Sequence, residues 1–113
     1  MQLPLQITVR GVEVGDAVET LIRQYAEKLD RYHDRIMGIR VMVEVPQRQM
    51  GEPIVHNVHI DITVPGGEVV VKRQAHPELH TAIQRAFEAA RRRLQDYGRR
   101  QRGDVKARAW DRS

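Results

Sequence analysis

The chain has 113 residues, the size of one domain. Lys and Arg number 19 against 15 Asp and Glu, giving a formal charge of +4, and 41% of residues are apolar, enough for a packed core. No run of 18 apolar residues could cross a membrane as a helix. The N-terminal MQLPLQITVR has no basic stretch followed by an apolar one, so no secretory signal is expected. The absence of cysteine excludes disulfides, thiol nucleophiles and thiolate zinc sites, and suits a reducing compartment.

Leu3, Leu5, Ile7 and Val9 alternate with polar residues, the period-2 signature of a strand with one buried face, which Gly11 ends. From Asp16 the period changes. Val18, Leu21, Ile22, Tyr25, Leu29 and Tyr32 predict an amphipathic helix over about 16–33. Asp16 suits its positive end, and Glu19–Arg23 and Glu27–Arg31 are spaced for i,i+4 pairing. Ile39, Val41, Val43 and Val45 predict a second strand that Pro46 stops. The polar loop PQRQMGEP follows, and then Val58, Ile60, Ile62 and Val64 predict a third strand. Pro65-Gly66-Gly67 is turn chemistry and leads into a fourth strand over Glu68–Arg73, so the last two strands form a hairpin. A phosphate cradle at Gly66-Gly67 is disfavoured, because such loops lead from a strand into a helix. Pro77 suits the first position of a second helix, whose apolar stripe is Leu79, Ala82, Ile83, Ala86, Phe87, Ala90, Leu94 and Tyr97. Gly98 argues against the helix continuing, and 101–113 read as a basic flexible tail after an α+β domain of residues 1–100. The β-α-β-β-β-α order predicts a two-layer α+β sandwich: a four-stranded sheet with two helices on one face. The β-α-β step leaves open whether strands one and two are neighbours.

Charge is unevenly placed. Residues 85–108 hold 9 basic and 3 acidic residues. On a helical wheel, Arg85, Arg92, Arg93, Arg99 and Arg100 share one side of the second helix, and Arg91 lies on the opposite flank. Lys28, Arg31 and Arg35 share a flank of the first. Two basic flanks on one sheet face would form a groove or ridge for phosphates, which the planar guanidinium binds through two donors. The competing reading is a solvated surface with local pairs such as Glu88–Arg92. Nothing predicts base-specific readout, and none of the five aromatics lies in a strand, where a sheet that stacks RNA bases would need them.

No catalytic constellation stands out. The only serine is Ser113, which leaves no serine triad. His56 and His59, three apart on a strand, point to opposite faces. His76 and His80 have helical ligand spacing, but His76 precedes Pro77 and falls outside the helix, and H-P-E-L-H is not the zinc-protease order. No metal, cofactor, small-molecule substrate or enzymatic activity is expected.

Several stretches in order and at matched spacing carry a resemblance: ITVRGVEV–GDAVETLIRQYAEKLDRY, IRVMVEVP, VHIDITVPGGEVVV and HPELHTAIQRAFEAARRRLQDYGRRQRGDVK. Over about residues 5–106 the chain resembles the ribosome hibernation-promoting factors, also called ribosome-associated inhibitors and historically sigma-54 modulation proteins. The resemblance implies a cytoplasmic bacterial stress-response factor that binds small-subunit rRNA in the channel for mRNA and tRNA and inhibits translation. It matches Lys28, Arg31 and Arg92 to basic positions of that family. Ala89 and Gln95-Asp96 depart from its basic pattern, and Arg85, Arg91, Arg93, Arg99 and Arg100 are placed to compensate. The C-terminal domain through which long-type relatives pair two ribosomes has no counterpart here, so no dimerisation domain is expected within this chain. A protein-interaction regulator of the sigma-54 modulation type and a generic RNA-binding module are the alternative readings.

Overall fold

The structure is a computed structural model that describes residues 4–33 and 35–111, with side chains as far as Arg100. Its elements are β1 (Leu5–Arg10), α1 (Asp16–Tyr32), β2 (Gly38–Glu44), β3 (His56–Val64), β4 (Gly67–His76) and α2 (Leu79–Asp111). The strands form one sheet in the order β1-β2-β3-β4. This is the two-layer α+β arrangement that the periodicities predict. β1 and β2 pair in parallel, with Ile7 opposite Val41, so the α1 crossover returns the chain to the neighbouring position. β2–β3 and β3–β4 are antiparallel.

Strand alternation sorts the sheet into two faces. Ile39, Val41 and Val43 of β2, Val58, Ile60, Ile62 and Val64 of β3, and Val69 and Val71 of β4 are buried. They meet Ile22, Ala26 and Leu29 from α1 and Ala82, Ile83, Ala86, Phe87, Ala90 and Leu94 from α2. Each fully buried isoleucine or leucine here, such as Ile22, Ile60 or Leu94, contributes about 1.5–3 kcal/mol by leaving water. The alanines at 82, 86 and 90 keep the middle of the α2 stripe thin, which lets that helix lie close to the sheet.

Two glycines fix connections. Gly11 has φ +75°, and a Cβ there would run into the Val45 carbonyl, so the chain can leave β1 beside the end of β2 only without a side chain. Gly66 has φ +83° in the β3–β4 turn, the position after proline in a type II turn. The Tyr97 hydroxyl donates to the Pro65 carbonyl at 3.1 Å and ties this turn to α2.

The helix ends differ from the sequence expectations in three places. Pro77 is not the first helical residue. The Ala82 N–H bonds the Glu78 carbonyl at 3.0 Å, which makes Glu78 the N-cap and puts Pro77 before it. His76 Nδ1 accepts from the Glu78 N–H at 3.0 Å, His56 Nδ1 donates to the Pro77 carbonyl at 2.8 Å, and together they hold this entry. Helix α1 stops at Tyr32, where His33 turns extended (φ −131°, ψ 111°), so Arg35 lies in the connection to β2 rather than on the helix flank. Gly98 does not end α2. A single glycine costs about 1 kcal/mol relative to alanine, which a helix already packed through Leu94 tolerates. The backbone of the expected 101–113 tail is helical as far as Asp111, and Arg112 and Ser113 lie outside the described residues.

Candidate nucleic-acid interface

The eight basic residues expected to contact RNA are all exposed: Lys28, Arg31, Arg35, Arg85, Arg92, Arg93, Arg99 and Arg100. Among the described residues none of them has a carboxylate within 4.0 Å; the ion pairs found there involve Arg40 and His59 instead. Arg92 and Glu88 do not pair, although their spacing allows it. An exposed pair gains little and costs side-chain entropy, so the guanidinium stays in solvent.

The arginine side of α2 does not converge with α1. The groove between the helices is lined from α2 by Gln84, Phe87, Glu88 and Arg91, and from α1 by Tyr25, Lys28, Leu29 and Tyr32. Of the eight expected residues only Lys28 reaches it. Arg91, which the helical wheel sets apart from the other arginines, is the one that faces α1. Arg85, Arg92, Arg93, Arg99 and Arg100 therefore form a ridge along α2, outside the groove.

Three of the five aromatics meet in this groove. The Tyr25 and Phe87 rings stack with centroids 5.3 Å apart and planes 16° apart. The Arg91 guanidinium lies 5.8 Å from the Tyr32 ring centroid, within cation–π range. Both sets of lining residues follow the i, i+3, i+4, i+7 rule of a helix face, which is legible in the sequence. That the two faces oppose one another is not.

The opposite face of the sheet, uncovered by helices, is organised differently. Arg40 Nη2 lies 3.6 Å from Asp61 Oδ2 and 3.4 Å from Glu68 Oε1, and His59 Nε2 donates to Asp61 Oδ1 at 2.8 Å. His76 and His80 are not on one helix face, since His76 closes β4 and sits opposite His56. Among the described residues no group of three or more His, Cys, Asp or Glu is gathered as metal ligands would be, and no helix is long and apolar enough to cross a membrane.

Comparison with known proteins agrees with this fold. The family model described as "Sigma 54 modulation protein / S30EA ribosomal protein" matches residues 5–102. A curated relative, a ribosome hibernation promotion factor of Deinococcus radiodurans, is 28% identical over 92 residues, which are 81% of this chain and 47% of the relative. The chain thus spans about half the length of that relative. Among solved structures, the N-terminal domain of Thermus thermophilus Protein Y aligns with a TM-score of 0.61 and 25% identity, covering 86% of this chain and 99% of that one. A ribosomal subunit interface protein from Coxiella burnetii shares the fold, with a TM-score of 0.73 at 14% identity, covering 85% of this chain and 98% of that one. With nearly all of its described elements inside the matched segment, the chain belongs to the sigma 54 modulation protein / S30EA ribosomal protein family.

Proposed function

We propose that this chain is a non-catalytic ribosome-associated hibernation factor, acting in the cytoplasm, that binds small-subunit rRNA in the channel for mRNA and tRNA. The observation that carries this reading is the α2 ridge. Arg85, Arg92, Arg93, Arg99 and Arg100 are exposed and without an ion-pair partner among the described residues, in a chain whose residues 5–102 match the family. Lys28 and Arg31 extend the basic surface onto α1, and Arg35 follows in the connection to β2.

The physics is that of a rigid cationic wedge. Helix α2 has 33 residues and is about 50 Å long. Its first half is seated on β3 and β4, and Tyr97 pins it to the hairpin turn. Guanidinium groups held on such a rod meet phosphates at fixed spacing, and the counterions they release make binding salt-dependent. A body occupying the channel excludes tRNA and mRNA by volume, with no reaction required.

The test is gradient sedimentation of the purified protein with ribosomes at low and moderate salt. Co-migration with the small subunit, weakened by salt and competed by tRNA, is the expected result. Migration apart from the subunits at both salts would overturn the reading. Co-migration that tRNA does not displace would remove the channel from it.

A further inference from the structure

The groove between α1 and α2 has a form that neither phosphate binding nor core packing requires. Its floor is apolar and aromatic, made by Leu29, Phe87 and Tyr25. Its rim carries Lys28 and Arg91, with Glu88 and Gln84 beside them. Tyr32, 49% exposed, stands at one end with Arg91 over its ring. The volume is about 480 Å³, in the range of small-ligand sites. An apolar floor with a few convergent polar groups is the usual build of such a site.

Size and charge select the occupant. The lining spans seven residues' advance on each helix, about 10 Å. That is too short to seat a partner helix, and it suits one planar base with its phosphate. Lys28 and Arg91 against Glu88 leave a net charge of +1 on the rim, which favours an anion. The aromatic surface favours a π-face, and base stacking on aromatic side chains tolerates any base. Glu88 can accept from an exocyclic amine, and Gln84 can both donate and accept.

We propose that this groove binds one nucleotide unit, its base stacked on the Tyr32 ring in place of the exposed Arg91 guanidinium, which turns to hold the phosphate with Lys28. That the nucleotide is an unpaired residue of RNA rests on the function proposed above; a free mononucleotide has the same chemistry. The groove gives a base-stacking site on the helical layer, where the sheet offers none.

The test is NMR of the protein with ¹³C-labelled Tyr and Phe rings, titrated with AMP, ribose 5-phosphate and a short single-stranded oligoadenylate. AMP and the oligonucleotide should shift the Tyr32 and Phe87 ring signals saturably, and ribose 5-phosphate should bind about 5-fold or more weakly. Tyr32→Leu should weaken AMP binding about 5- to 150-fold, the range of one stacked base. Arg91→Gln should weaken AMP and ribose 5-phosphate together. Tyr32 and Arg91 are exposed, so both variants should keep the wild-type circular dichroism. Equal binding of AMP and ribose 5-phosphate, or unchanged AMP affinity in Tyr32→Leu, would overturn the proposal. Oligoadenylate binding about 10-fold tighter than AMP would support the site and assign it to RNA; equal affinities would support it as a site for a free nucleotide. Unmoved ring signals in a protein that still co-sediments with ribosomes would sink this groove alone. Saturable ring shifts without co-sedimentation would sink the ribosome reading and leave the groove standing.

Discussion

The two broad faces of this domain treat charge in opposite ways. On the open face of the sheet, Arg40 sits between Asp61 and Glu68, and Asp61 also takes a hydrogen bond from His59. On the helical layer, Lys28, Arg31, Arg85, Arg92, Arg93, Arg99 and Arg100 stand without carboxylate partners among the described residues. Cross-strand neighbours are held about 5 Å apart by the ladder, so opposite charges on one sheet face meet at little further entropic cost. A helix flank crowded with arginines has too few acids to do the same. Arg40 on the sheet face is paired in place, whereas these helix-borne cations have no carboxylate partner among the described residues.

The largest effect expected from breaking this contrast is the triple reversal Arg92→Glu, Arg93→Glu and Arg99→Glu. It should lower small-subunit affinity about 100-fold or more and flatten its salt dependence by about two units of log–log slope. The melting temperature should not fall, because all three residues are exposed. Co-sedimentation equal to wild type would show that the ridge is not the contact. Next in size is Gly66→Ala, which forces a side chain into a left-handed backbone at the hairpin turn. Chemical denaturation should register a loss of about 1–2 kcal/mol. Tyr97→Phe removes the hydroxyl that joins this turn to α2 while keeping the ring. A loss of about 0.5–1.5 kcal/mol is expected in the same assay. The smallest effect belongs to Arg40→Gln on the sheet face. Arg40 itself is exposed, so stability should change by about 0–1 kcal/mol. Ribosome co-sedimentation should match wild type; a drop comparable to the arginine reversal would abolish the distinction between the faces.

Much of the fold was legible because each element carries its own period. The alternation of Ile39, Val41 and Val43, and of Val58, Ile60, Ile62 and Val64, reports a one-sided sheet before any partner is known. The helical spacing of Ile22, Ala26 and Leu29 does the same for α1. Local chemistry misled at the helix ends. Pro77 suits a first helical position, yet the His56 and His76 side chains hold it two residues before the helix begins at Leu79. Arg35 keeps the helical angle of Lys28 and Arg31, yet the chain has already turned extended at His33. Gly98 reads as a stop, yet α2 passes through it.

The candidate site divides along the same line. The residue order alone sets five of the six arginines between 85 and 100 on one side of α2, because side-chain direction along a helix is fixed by its 100° step. It also sets the strand faces and the turn at Gly66. Which flank of α2 meets α1 is settled by packing against the sheet. That choice brings Arg91 to Tyr32, stacks Tyr25 on Phe87, and leaves the other arginines as a ridge. The reason is physical. A helical wheel defines angles within one helix, but the rotation and position of two helices relative to each other are set by the sheet beneath both, through the core that each stripe must bury.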